Sequence, residues 1–391
     1  MTEISNSPPS SKQLFGAFLR LGLTAFGGPS MIAYIRRVVV EQKRWLDVES
    51  FNGGVALCQM IPGATAMQVT AYVGLKKRGV VGAAACFIAF GLPAFLFMMV
   101  FAAVFSYTHN LPVVVSTFKG LQAIIVAIVA NATFSFGRTT LKTWKHFLVA
   151  GFAAALFGLN VNPVPVIFLA AIVGLVLLEP KQPAQHQTVH ASPPILWNGK
   201  PIFIIIGIAL VGFSLLFFLN RDLFNLAVLF FRIDLTAFGG GFASIPLMLH
   251  EIVDVRHWMD GPTFMNGIIL GQVTPGPIVI TATFIGFLLH GPLGGLVATI
   301  SIFLPSFLLV IGVSPFFDRL RASPYFNKAI AGVLCSFVGL LFTVIFRFAG
   351  NVYWNFQLLA LTGAALIALL LKVDILWVIG IGLLISIFLF I

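Results

Sequence analysis

A hexapeptide that occurs twice constrains this chain more than any other feature. Leu23-Thr24-Ala25-Phe26-Gly27-Gly28 returns unchanged as Leu235-Thr236-Ala237-Phe238-Gly239-Gly240, 212 residues later. An arginine stands four places before the threonine in each copy (Arg20, Arg232). The match continues in order. Trp45, Phe51, Gly54, Gln59, Pro62 and Gly63 recur at a spacing of 213 as Trp258, Phe264, Gly267, Gln272, Pro275 and Gly276. Gly74, Gly79 and Pro93 recur at 212 as Gly286, Gly291 and Pro305. An ordered series with one-residue slips is a duplication, so the fold is expected to be built from two similar halves.

The solvent for that fold follows from charge. Only 9% of the 391 residues are charged and 59% are hydrophobic, whereas a soluble chain carries roughly a quarter charged residues. An all-α polytopic membrane protein is expected. The net charge of +11 fits an excess of Lys and Arg in cytoplasmic loops. No basic run with interleaved aromatics exists, so nucleic acid is not an expected partner. Cys58, Cys86 and Cys335 lie inside apolar stretches and suggest neither disulfides nor a metal site. The polar start, with two prolines among residues 1–12, lacks the pattern of a cleavable signal peptide.

Hydrophobic segments are expected at Leu14–Ile35 (interrupted at Gly27-Gly28-Pro29), Phe51–Gly74 (broken at Pro62-Gly63), Val80–Phe105, Gly120–Phe136, Phe147–Leu159 and Val164–Leu178. Glu179–Lys200, with four prolines and His186 and His190, reads as a linker. Ile202–Leu219 is an unpaired span. The plan then repeats as Leu223–Leu249, Thr263–Leu289, Leu293–Phe316, Ala329–Phe346, Phe356–Leu371 and Ile375–Ile391. The expected domains are residues 1–178, a linker with a central connecting helix over 179–221, and a second repeat over 222–391.

An odd number of crossings between corresponding segments inverts one half relative to the other, an arrangement common in secondary transporters. Charge placement adds a constraint. If every segment crossed, the loop with Arg36, Arg37, Lys43 and Arg44 would lie opposite the one with Lys76, Lys77 and Arg78, against the positive-inside rule. If the first two segments of each half are re-entrant hairpins, most basic residues become cytoplasmic, with Arg221, Arg256 and Arg347 outside. Nine full crossings and four re-entrant elements are therefore expected.

Irregular backbone at membrane depth persists only where it is buried in protein or lines a wet cavity. The breaks at Gly27–Pro29, Gly239–Gly241, Pro62-Gly63 and Pro275-Gly276 would expose helix-start N–H groups that attract anions. Alternatively, the glycines permit close helix packing and the prolines kink helices. Arg20 and Arg232, within apolar segments, offer guanidinium forks suited to tetrahedral oxyanions; the competing reading is snorkelling to the interface. Thr24, Thr236, Gln59 and Gln272 either complete an oxyanion cage or satisfy freed backbone groups. Lys119 and Lys328 match each other and either attract anions at the mouths of the path or anchor the interface. Asp234 has no counterpart, because Gly22 stands there in the first half. It pairs with Arg232, reaches solvent, or couples transport to protons. No nucleotide-binding loop, metal-ligand cluster or hydrolase constellation is present, so neither catalysis nor a cofactor is expected.

Phe26-Gly27-Gly28-Pro29, the Gln-x-x-Pro-Gly of Gln59–Gly63 and the Gln-x-x-Pro-Gly-Pro of Gln272–Pro277 resemble the chromate ion transporter family, in its long two-domain form. The resemblance covers about residues 12–175 and 222–391. It implies an inner-membrane carrier that exports chromate, a tetrahedral dianion like sulfate, and so confers resistance. Two positions depart from the family pattern. Ala64 follows the first Pro-Gly, where the second half keeps Pro277, and Gly241 follows the second Gly-Gly in place of proline.

The expected substrate-binding set is thus Arg20, Thr24, Phe26, Gly27, Gly28, Gln59, Pro62, Gly63, Arg232, Thr236, Phe238, Gly239, Gly240, Gln272, Pro275, Gly276 and Pro277. The expected partners are the bilayer and a chromate- or sulfate-like oxyanion, with a homodimer left open. Proton-coupled sulfate or oxyanion uptake, an anion channel and a membrane scaffold are the other readings.

Overall fold

The computed structural model describes residues 9–26, 30–179 and 200–390. Among these, all regular structure is helical. The first repeat supplies α1 (Ser11–Thr24), α2 (Ser30–Arg36), α3 (Val48–Met60), α4 (Thr65–Thr108), α5 (Pro112–Thr140), α6 (Trp144–Gly158) and α7 (Pro163–Leu177). A lone helix, α8 (Lys200–Leu219), follows. The second repeat supplies α9 (Arg221–Thr236), α10 (Ser244–Met248), α11 (Gly261–Val273), α12 (Thr281–Val313), the short α13 (Phe317–Ala322), α14 (Pro324–Gly350), α15 (Phe356–Leu370) and α16 (Ile375–Phe390). The expected linker with His186 and His190 lies outside the described residues, save for its ends.

Among the described residues, five helical stretches are long and apolar enough to cross a bilayer: Thr65–Thr108, Pro112–Thr140, Lys200–Leu219, Ile278–Ala322 and Pro324–Gly350. With the shorter apolar helices α6, α7, α15 and α16 beside them, this is a multi-pass membrane protein.

The duplication is visible in the backbone itself. Arg78 and Gly79 leave helical geometry at φ −141°, ψ 22° and φ 62°, ψ −152°; His290 and Gly291 do so at −138°, 26° and 62°, −157°. At these points α4 and α12 each fold back on themselves. The Gly74 main chain touches that of Gly82, and Gly286 touches Gly294, although residues eight apart in a straight helix lie about 12 Å apart along the axis. Glycines at both contacts allow the two arms to meet. A π-helical turn recurs too, at Arg37–Gln42 and Leu249–Val255. Left-handed residues close the elements in pairs, Arg44 with His257 and Asn160 with Lys372.

The chain forms two compact units. The first comprises Met1–Phe97, Pro180–Gly241 and Pro275–Asn327; the second comprises Met98–Glu179, Phe242–Thr274 and Lys328–Ile391. Each therefore draws on both repeats.

In the first unit α1 starts with a capping box between Ser10 and Gln13, which satisfies helix-start donors. It packs with Gly22 against the main chain of Phe90 in α4, and α9 packs along α12. The Phe87 ring meets Phe303 and Phe307 at centroid distances of 6.2 and 5.1 Å, joining α4 to α12. Phe213 and Phe217 of α8 engage Phe224 of α9 edge-on.

In the second unit α5 lies against α11, α15 and α16. Gln122 Nε2 donates to Asn266 Oδ1 at 2.8 Å, and Thr362 Oγ1 donates to the Ala123 carbonyl at 3.1 Å. Small residues let α14 approach α6 and α7 closely, with Gly339 on Ala150 and Gly332 on Gly174; Cys335 between them is buried with Val149 and Ala170. Arg347 of α14 pairs with Asp254. Its Nη2 also donates to the Phe157 carbonyl and to Asn160 Oδ1, each at 2.6 Å. This basic residue, expected on the outside, is thus a tie between α14, α6 and the turn after α10.

Candidate functional site

The Pro-Gly breaks and the ends of the arginine-bearing helices meet in the first unit. α1 ends at Ala25, whose N–H bonds to the Leu21 carbonyl, and α9 ends at Ala237. Helix ends leave carbonyls without acceptor duty inside the helix. Here the other repeat supplies the donor in each case. Gly63 N–H donates to the Ala237 carbonyl at 2.8 Å, and Gly276 N–H donates to the Ala25 carbonyl at 3.0 Å. The two repeats are interlocked through their broken elements by matching hydrogen bonds.

Gly63 and Gly276 adopt φ +116° and +118°, a region closed to side-chain-bearing residues. Their surroundings differ. A Cβ on Gly276 would strike the Ala94 methyl at 2.7 Å, whereas one on Gly63 would strike the Ser306 hydroxyl and the Gln68 amide. Pro62, Gly63, Pro275, Gly276 and Pro277 are all buried.

The glycine turn after α9 sits between two helix starts. Gly239 and Gly240 have φ +97° and +95°. The Cβ position of Gly240 lies 3.2 Å from Oγ1 of Thr65, the first residue of α4; that of Gly241 lies against Ile278, which opens the 3-10 turn leading into α12. First-turn N–H groups lack acceptors within their own helix and carry the positive end of its dipole. Two such ends flank one short stretch of backbone. Gly27, Gly28 and Pro29, the equivalent turn after α1, lie outside the described residues.

Arg20 and Arg232 are both exposed on the last full turn of their helices, and among the described residues neither forms an ion pair. Thr24 and Thr236 turn their hydroxyls back to the Arg20 and Arg232 carbonyls at 3.0 and 2.9 Å. Phe26 and Phe238 are half-buried, and Gln59 is exposed in the last turn of α3. Gln272, Lys119 and Lys328 belong to the second unit. Gln272 is buried with its Nε2 lacking a partner; Lys119 is exposed in α5 and Lys328 half-buried in α14.

Asp234 neither pairs with Arg232 nor reaches solvent. It is wholly buried, and its Oδ2 accepts from the Ser306 N–H at 2.9 Å and the Ser306 hydroxyl at 2.7 Å. Ser306 Oγ in turn accepts from Ala64 N–H at 2.8 Å. Gln68 Nε2 donates to the Pro62 carbonyl at 2.6 Å. Gln68 and Ser306 were absent from the expected set. A signal existed: Ser306 stands 212 residues after Ala94, as Asp234 stands 212 after Gly22. Both polar residues depart from the duplication, so comparing the halves for differences would have found them together.

A family model described as chromate transporter matches the chain twice, over residues 12–175 and 224–387. An uncharacterized transporter of Methanocaldococcus jannaschii is 41% identical over 95% of this chain and 92% of its own length. A probable chromate transport protein of Synechococcus elongatus is 30% identical over 85% of this chain and 83% of its own. A chromate transport protein of Pseudomonas aeruginosa is 28% identical over 87% and 81%. No solved structure matches. With two homologous halves, apolar helices long enough to span a plasma membrane, and a family match over most of its length, this chain belongs to the chromate transporter family.

Proposed function

We propose that the chain is a secondary transporter that exports chromate across the plasma membrane and so confers resistance. The observation that carries the reading is the glycine turn Gly239–Gly241, wedged between the starts of α4 and α12. A tetrahedral dianion fits such a place: two sets of first-turn N–H groups supply donors, and the dipoles favour negative charge. The unpaired, exposed guanidinium groups of Arg20 and Arg232 are free to capture the anion and pass it to this turn. Gln59, Phe26 and Phe238 stand on the same broken elements. Lys119 and Lys328 are assigned to the two mouths of the path.

Helix lengths support the re-entrant arrangement. With 13 residues, α3 is about 20 Å long, short of the ~30 Å hydrocarbon thickness. The first arm of α4, which ends at the Arg78 turn, is of similar length. A half-length pair joined at a break dips in and returns, and the single helix α8 then inverts the second repeat. The three stretches 1–178, 179–221 and 222–391 would be the repeat, connector and inverted repeat. Rocking of interlocked elements gives alternating access. A dianion leaving an inside-negative cell gains about 2.3 kcal/mol per charge per 100 mV, so export proceeds without ATP.

Chromate flux into everted membrane vesicles, with and without an imposed potential and with sulfate as competitor, tests this. Saturable, potential-dependent uptake that is lost in Arg20→Gln and Arg232→Gln is expected. Uptake no greater than in membranes lacking the protein sinks the chromate assignment.

A further inference from the structure

The two repeats offer an internal comparison at one place. In the second repeat's helices the contact between α9 and α12 is Asp234 on Ser306, facing Ala64 of the first break. At the equivalent positions of α1 and α4 stand Gly22, which packs on the Phe90 main chain, and Ala94, which faces the second break at Gly276. Three positions differ in concert. Where the break ends in proline, which has no N–H, the helices offer glycine and alanine. Where it ends in Ala64, that N–H is used by Ser306, and Ser306 is used by Asp234. A relay has been built into one of two otherwise matched sites.

The relay is incomplete as drawn. Asp234 Oδ1 and Gln68 Oε1 are both buried and both without a hydrogen-bond partner, and both residues are fully excluded from solvent. Gln68 cannot be flipped to help, because its Nε2 is held by the Pro62 carbonyl. The carboxylate and the carboxamide converge on Gly63, whose Cβ position lies 2.8 Å from Gln68 Nε2 and 3.1 Å from Asp234 Oδ2. Two buried acceptors without a donor are costly. A proton on Asp234 Oδ1 turns one of these acceptors into a donor and removes the cost of an uncompensated buried charge. A metal cation calls for about six oxygens, and among the described residues no cluster of three or more His, Cys, Asp or Glu side chains stands here.

Among the described residues, no ion pair with the carboxylate is formed. The segment 61–64 and the first turn of α4 present Thr65 and Gln68, and α12 presents Ser306, with its His290 at the distant kink. α8 carries only Lys200, at its first residue. On α9 itself Arg232 is exposed and Asp222 lies in the first turn. None of these forms an ion pair with Asp234.

We propose that Asp234, with Gln68 and Ser306, is a proton-binding site that couples anion export to proton entry. The proposal rests on the carrier reading above and names its counter-ion. The proton comes from water at the outer face, converts the carboxylate to the neutral acid, and returns to water inside. In the ionised state Oδ2 holds the Ser306 hydroxyl, and Ser306 holds the Ala64 N–H. Protonation weakens Oδ2 as an acceptor and loosens that hold on the Pro62–Ala64 break, beside the Gly239–Gly241 turn. The proton state is thereby linked to the element assigned to the anion.

The test uses the purified full chain in lipid vesicles and two readouts. Infrared difference spectroscopy over a pH series is expected to show a protonated-carboxyl band that is missing from Asp234→Asn. Asparagine is a near-isostere that carries no charge, so that variant mimics the protonated state. An interior pH dye is expected to report proton movement driven by a chromate gradient, in sodium-free and sodium-containing buffer alike. That movement is expected to vanish in Asp234→Asn and fall in Ser306→Ala. A band unchanged in Asp234→Asn, or proton movement unchanged there, overturns the proposal, as does a strict sodium requirement. A band lost in Asp234→Asn with proton movement driven by another anion but not by chromate leaves the proton site standing and removes the chromate assignment.

Discussion

Gly63 and Ala237 are joined by a 2.8 Å hydrogen bond from the glycine N–H to the carbonyl that ends α9. The same bond, reversed between the repeats, joins Gly276 to Ala25 at 3.0 Å. Neither repeat can complete its own helix end. The duplication therefore yields not two independent sites but one interlocked core, with a polar side at Gly63 and an apolar side at Gly276.

Replacing either glycine tests this geometry. Gly63→Ala and Gly276→Ala each force a Cβ into a positive-φ conformation, at a strain of about 1–3 kcal/mol. Gly276→Ala adds a collision with the Ala94 methyl. Both are expected to lower thermal stability in detergent. Adding Ala94→Gly should recover part of the Gly276→Ala loss and none of the Gly63→Ala loss; equal recovery in both would show that the steric account is wrong.

The arginines are expected to need their fork and not merely their charge. Arg232→Lys keeps a cation but loses paired donors, and charged hydrogen bonds contribute about 1.5–3 kcal/mol each. Chromate half-saturation is expected to rise roughly tenfold or more for that loss. An unchanged half-saturation would assign Arg232 to the lipid interface.

The threonine hydroxyls already bond the carbonyls of Arg20 and Arg232, and such back-bonding slightly destabilises a helix. Thr24→Val and Thr236→Val are expected to change stability by under about 1 kcal/mol and to leave chromate affinity near its native value. A large loss of affinity in binding assays would instead place these hydroxyls on the anion.

Arg347 is expected to matter for folding. Its side chain is 17% exposed and Asp254's is 28%, and breaking a largely buried pair from one side costs about 3–5 kcal/mol. Arg347→Met should lower the unfolding midpoint sharply. The double variant with Asp254→Asn should cost less than the sum of the singles, since the second change removes the charge that the first stranded.

Asp47 caps α3 by accepting from Ser50 N–H at 2.7 Å and Ser50 Oγ at 2.8 Å. Burial works to raise its carboxyl, but the Ser50 bonds together outweigh it and hold the group below the usual range. A depressed folded-state value means stability that is intact above about pH 4 and is lost as pH falls through the folded value. Asp47→Ala is expected to cost about 1 kcal/mol at neutral pH, and the difference from the native chain should shrink in acid unfolding curves.

Much of the fold was legible because it is written in periodic apolar runs and in repeats. The kinks at Gly79 and Gly291 were marked by paired glycines, and the Pro-Gly breaks by prolines that cannot continue a helix. Helix ends were less legible. The segment read as running from Leu223 to Leu249 with a break at Gly239–Gly241 has its break there, but the short helix and the π-helical turn that follow were not read, because hydropathy does not register backbone geometry. Gln68 stayed hidden because it is an ordinary polar residue within an apolar helix, whereas Ser306 was marked only by its departure from Ala94 in the other repeat.

By itself the sequence determined the solvent, the duplication and the places where helices must break, since these depend on composition and on local backbone chemistry. Only the tertiary structure decided which broken ends meet. Hydrogen-bond partners separated by 174 residues, as Gly63 and Ala237 are, leave no local trace, and the burial that leaves Asp234 Oδ1 and Gln68 Oε1 without partners arises only when three helices close around them.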